Sequence, residues 1–178
     1  MGLKYLSDNL VRLRGPVNQQ TNAAVSSGTC NAYLFHDKKD GFLASDVSST
    51  SATFITVSHP ELLTTTDTLI VQRDDGTYAN CGLVTSVNKQ TGVIGITSGI
   101  ASGTAKKGNR VMVQLGAAVS MSTYGTPVVG KYDWGFQGTI QSSHGDLAPG
   151  VPVRIEIVMN SSGLVLTEFV RDTVSGGT

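Results

Sequence analysis

The sequence predicts an all-β, antiparallel fold, a sandwich or a barrel. Apolar residues recur at every second position through several segments, most clearly in 151–159. Turn-forming residues separate these segments at short spacing, and Gly alone accounts for 21 of 178 residues. Helical periodicity nowhere persists long enough to carry a fold.

Taken in order, residues 9–14 alternate and Gly15-Pro16 stops them. Leu3, Leu6, Leu10 and Leu13 also recur at helical spacing, so a short N-terminal helix competes there. Residues 30–36 form the next strand, closed by the polar turn Asp37-Lys-Lys-Asp-Gly41. Residues 53–57 are β-branched and aromatic. Residues 59–63 allow one helical turn, with Pro60 at its first position. A strand over 68–73 ends at Asp74-Asp75-Gly76, a tight-turn signal.

The clearest hairpin joins 82–87 to 93–97 through Asn88-Lys-Gln-Thr-Gly92, with Gly92 where the loop needs a positive φ. Residues 109–115 and 135–141 add strands. A last hairpin joins 151–159 to 164–171 through Asn160-Ser-Ser-Gly163. In its first strand Val151, Val153, Ile155, Ile157 and Met159 form the buried face. Pro152, Arg154, Glu156 and Val158 form a partly polar one.

Residues 1–115 are expected to form an N-terminal arm and a β body. Residues 116–178 then supply an extended loop and a C-terminal hairpin layer. The stretch 120–133 lacks periodicity, and a long structureless loop inside a compact domain calls for a task such as contact with a neighbour.

Charged residues make up 15% of the chain, below the usual level of about 25%. Thirteen basic and thirteen acidic residues cancel. A neutral, Ser/Thr/Gly-rich surface suits packing against protein. It lacks the basic excess that non-specific nucleic-acid binding uses to displace counterions, leaving only incidental proximity to DNA. Cys30 and Cys81 are too few for a disulfide framework and are expected as buried free thiols. No secretory signal and no membrane span are visible, so folding in a cytoplasm is expected.

Motifs for chemistry are sparse. His36, His59 and His144 lack metal-ligand spacing, and no cofactor or metal is expected. Asp74-Asp75-Gly76 lacks the alternating ligands and closing Glu of a calcium loop. Neither a Gly-x-Ser-x-Gly elbow nor a phosphate-binding Gly loop occurs. The sequon at Asn160 carries no meaning without a signal peptide. An enzyme is therefore not expected. The candidate interface residues are Tyr124, Tyr132, Trp134 and Phe136, an aromatic cluster beside turn glycines, and Lys106 and Lys107 in a basic turn. A corner of the core competes for the aromatics, and a solvated turn for the lysines.

Asn9-Leu-Val-Arg-Leu-Arg-Gly15, Thr29-Cys-Asn-Ala-Tyr-Leu-Phe35 and the turn ending at Gly41 resemble small β modules of tailed-bacteriophage virion proteins. So do Asp67-Thr-Leu-Ile-Val-Gln-Arg-Asp-Asp-Gly76, the hairpin around Gly92, and Ala105-Lys-Lys-Gly-Asn-Arg-Val111. The resemblance covers roughly residues 9–115. It implies a head-to-tail connector (neck or stopper ring), or else a capsid decoration protein. The implied partners are copies of itself in a symmetric oligomer and portal, adaptor, tail or major capsid proteins, with the virion as location and no membrane. From another class, a carbohydrate-binding module of a tail fibre requires an exposed aromatic platform at Trp134 or Tyr132.

Overall fold

The computed structural model describes residues 8–18, 20–47, 52–100, 104–131, 133–141, 147–161 and 164–173, the last strand and residue 161 by their backbone. The protein is all-β, with half its residues in strands and its sheets antiparallel. Among the described residues the helical content is a single 3₁₀ turn, Pro60–Leu62, with Pro60 at its start. No helix among them is long and apolar enough to cross a membrane.

In chain order the strands are β1 (Asn9–Arg14), β2 (Val17–Asn18), β3 (Ala23–Ala24), β4 (Thr29–His36), β5 (Gly41–Phe42) and β6 (Phe54–Thr56). There follow β7 (Thr68–Gln72), β8 (Tyr78–Val87), β9 (Val93–Ile96) and β10 (Arg110–Gln114). The rest are β11 (Val119–Ser120), β12 (Ser122–Tyr124), β13 (Gly135–Ile140), β14 (Pro152–Ser161) and β15 (Leu164–Thr173). Contacts divide the chain into two units: Phe35–Leu115, and Met1–Leu34 with Gly116–Thr178. The N-terminal segment thus groups with the C-terminal one, because β1 takes its partner from β13.

In the Phe35–Leu115 unit the strands run β10-β7-β8-β9-β6, and β5 pairs with β10. Register follows the apolar pattern. Val111 faces Val71, Val113 faces Leu69, and Ile55 faces Ile94. These residues share one buried cluster with Leu43, Val57, Cys81, Val84 and Ile96. Burying each such side chain fully stabilises by about 1.5–3 kcal/mol before entropy is counted. The hairpin loop forms as the sequence expects. Asn88 Oδ1 accepts from the Gln90 N–H at 3.0 Å and the Thr91 N–H at 3.1 Å. Gly92 has φ 74°, and a Cβ there would stand 2.6 Å from the Val57 carbonyl oxygen.

The barrel alternative is corrected, because the sheets do not close. Segment 42–44 meets segment 56–58 through one isolated bridge, Leu43↔Val57, and through the bonds Ser58 N–H to Phe42 O and Ala44 N–H to Thr56 O. Both segments leave this contact within a residue or two, so no long ladder can build on it.

In the other unit β13 lies between β1 and β12. β1 is a strand rather than a helix, alternately buried and exposed along its length. Leu3 and Leu6, half of the competing helical pattern, lie outside the described residues. Within 116–134, where an unstructured loop was expected, β11 pairs with β4 and β12 pairs with β13. Strands this short leave no periodicity in sequence. Gly135 (φ 147°) is obligatory, because a Cβ there would collide with the Leu13 carbonyl.

β14 lies between β15 and β4, and every residue from Val153 to Met159 is buried. The partly polar face expected for Arg154 and Glu156 is thus buried too. Arg154 Nε donates to Glu156 Oε1 at 2.6 Å, and the pair is 3% and 0% exposed. Residues two apart on a strand share a face, so the two charges compensate each other where water cannot. Glu156→Gln, which removes a counter-charge from the buried guanidinium, is expected to destabilise by about 3–5 kcal/mol in urea titrations.

Cys30 and Cys81 are both free and buried. Burial pushes both thiols up to about 12, and Cys30 Sγ lies 3.6 Å from Met121 Sδ. At pH 8 the native protein is expected to leave a thiol reagent such as Ellman's unreacted. The unfolded chain, with thiol pKa values near 8.5, should react at both sites. Fast reaction of the native protein would contradict this burial.

Candidate interface

The aromatic cluster separates into three environments. Trp134 is 1% exposed and Phe136 2%, so both rings lie inside their unit. Trp134 follows the turn and Phe136 sits on β13, opposite Leu13 of β1. Neither ring offers a face to a sugar or a neighbour, which removes the carbohydrate platform at Trp134. Tyr124 is half-buried on β12, with the Arg12 guanidinium carbon 5.1 Å from its ring centre. Tyr132 lies outside the described residues, as does His144.

Trp134 acts on the surface through its indole nitrogen. Nε1–H donates to the Val128 carbonyl at 2.6 Å. The Lys131 N–H donates to the same oxygen at 3.2 Å. Gly130 follows with φ 77°, so 128–131 forms a turn of the kind that requires glycine at its third position. Pro127 fixes the approach to it. At the tip Val128 and Val129 stand 47% and 43% exposed. Two β-branched apolar residues are poor choices for a solvated turn. The Pro-Val-Val-Gly sequence carries this signal locally.

On the Phe35–Leu115 unit the exposed large apolar residues are Phe42, Phe54 and Leu83. Phe54 faces Gly95 across the β6–β9 ladder, where a Cβ would strike the hydroxyls of Thr85 and Ser86. All three occupy outward positions of alternating strands, which sequence alone cannot distinguish from covered ones.

The basic turn is engaged locally. Lys106 Nζ lies 3.2 Å from Asp74 Oδ2, and the Lys107 N–H donates to Asp46 Oδ1. Asp74 also accepts from Asn109 Nδ2 at 2.8 Å; this bond chiefly lowers its pKa, opposed by desolvation and helped by the Lys106 contact. Asp75 Oδ1 binds the Thr77 hydroxyl and N–H, closing the expected Asp-Asp-Gly turn. His36 Nδ1 accepts from the Lys38 N–H at 3.3 Å, and burial followed by the Lys39 charge lowers its pKa. Lys39 Nζ spans both oxygens of Asp67 at 2.8 and 3.0 Å. His59 lies beside Glu61 at 3.8 Å. Among the described residues no group of three or more His, Cys, Asp or Glu is placed to hold a metal ion.

No protein-family model matches the chain, and no curated protein matches it significantly.

Trp134→Phe is expected to destabilise by about 1–3 kcal/mol, combining a lost buried hydrogen bond with lost ring volume. Amide exchange at Val129 to Lys131 should rise by more than that global change explains. Equal protection of the turn in both proteins would show that Trp134 does not hold it.

Proposed function

We propose that the protein is a structural component of a tailed-bacteriophage virion, a head-to-tail connector subunit that joins portal and tail by packing against protein. One observation carries this reading: apolar side chains project from stiff supports. Val128 and Val129 stand on a turn tied to a buried indole, and Phe42, Phe54 and Leu83 stand on or beside paired strands. Apolar groups held rigidly in solvent lose little conformational freedom when a partner covers them. The resemblance of residues 9–115 to virion β modules supports the same role. A chain without net charge can pack many copies side by side with little mutual repulsion. A ring of identical subunits needs unlike patches in contact, one from each neighbour, and apolar patches occur on both units. The charged side chains described above are engaged in turns and ion pairs, which suits a scaffold.

Native mass spectrometry of the purified protein tests the proposal. A closed ring is expected, and Val128→Asp with Val129→Asp should break it while leaving the thermal midpoint within a few degrees. A monomer at all concentrations, or a trimer that binds capsids and not portal, would overturn the connector role. The trimer would favour a decoration protein.

A further inference from the structure

Among the described residues, β1 forms one edge of the three-stranded sheet β1-β13-β12. It is six residues long, against three for β12 at the opposite edge. Its outward positions are Leu10, Arg12 and Arg14, all exposed, with Leu10 41% so. Across the sheet, Arg12 is level with Gln137 and Ser122, and Arg14 with Gly135 and Tyr124.

The two arginines differ from the basic residues of other ion pairs. Lys39, Lys106, Arg110 and Arg154 each meet a carboxylate. Among the described residues, Arg12 and Arg14 meet none. Arg12 is nevertheless held in place. Its Nε donates to Gln137 Oε1 at 3.3 Å, and its guanidinium lies over the Tyr124 ring. Both contacts lie on the β13 and β12 side of β1, and among the described residues no carboxylate meets the outer nitrogens. Arg12 and Arg14 are alternate residues of one edge strand, about 7 Å apart along its backbone, which is the repeat of a neighbouring extended chain.

Edge arginines ordinarily guard a sheet against uncontrolled pairing. That protection is selective by charge. An antiparallel second copy of β1 would bring arginines towards arginines and be repelled. An incoming strand with acidic residues at alternate positions would place one carboxylate opposite each arginine, while its backbone pairs with the edge of β1.

We propose that the β1 edge is a docking site for an extended acidic segment of a partner protein, added antiparallel as a fourth strand. Its pattern is acid, any residue, acid, any residue, apolar. The two acids lie opposite Arg14 and then Arg12, and the apolar residue lies opposite Leu10. Main-chain bonds provide binding common to any strand, and the arginines select which strand. This deepens the packing role proposed above by naming the chemistry of one partner, and rests on that role only for the existence of such a partner.

The test uses the full chain with two labelled peptides, one alternating threonine with glutamate and ending in valine, the other carrying lysine for glutamate. Fluorescence anisotropy should show saturable binding of the glutamate peptide, weakening with added salt. Arg12→Gln with Arg14→Gln should weaken it by at least about tenfold, and Arg12→Lys by less. Hydrogen exchange should show new protection at Leu10 to Arg14 in the complex. Circular dichroism of each variant confirms that the fold is retained. The proposal is overturned if the lysine peptide binds as well, if the arginine variants bind unchanged, or if β1 gains no protection. Tighter binding of a single-stranded DNA oligonucleotide would likewise overturn it in favour of a phosphate-binding face. A ring that persists while the glutamate peptide fails to bind would remove this site and leave the connector role standing.

Discussion

Everything in the Phe35–Leu115 unit depends on register between antiparallel strands. Leu69 and Val71 on β7 meet Val113 and Val111 on β10, and Ile55 on β6 meets Ile94 on β9. A slip of one residue would turn each of these side chains to the opposite face. The cost would be several buried aliphatic groups at once, at about 1.5–3 kcal/mol each. Register therefore holds without disulfides. It also fixes which residues are left outside: Phe42, Phe54 and Leu83 are exposed because their neighbours in sequence must be buried.

In the other unit the limiting condition is space around the backbone. Gly135 and Gly125 lie where a side chain would strike the Leu13 and Asp133 carbonyls, respectively. Close approach of these segments buries Trp134, and the indole N–H then finds the Val128 carbonyl. A core residue thereby shapes a surface turn. Trp134, expected at an interface, is enclosed, and the valines of the turn it bonds to are exposed.

β14 applies the same logic to charge. A central strand has no solvent face, so its polar positions must be satisfied in place. Arg154 and Glu156 are spaced to meet on one face and do so. Arg12 and Arg14 have the same spacing on an edge strand, without an acid of their own among the described residues. The same two-residue repeat gives an internal ion pair at the centre of a sheet and an unmatched charged pair at its rim.

Sequence alone determined the strands and their punctuation. Alternation marked β1, β4 and β14, and Asn88 with Gly92 marked the hairpin, because side-chain period and turn chemistry are local properties. The short strands β11 and β12 leave no mark in the sequence because two or three residues cannot display a period. Tertiary structure decided which strands are neighbours, and hence which faces are covered. It buried Trp134, Phe136, Arg154 and Glu156, and it left β1 at an edge. Those outcomes depend on segments more than a hundred residues apart in the chain, such as β1 and β13. Burial is a property of the neighbour as much as of the residue, and the neighbour is not written beside it in the sequence.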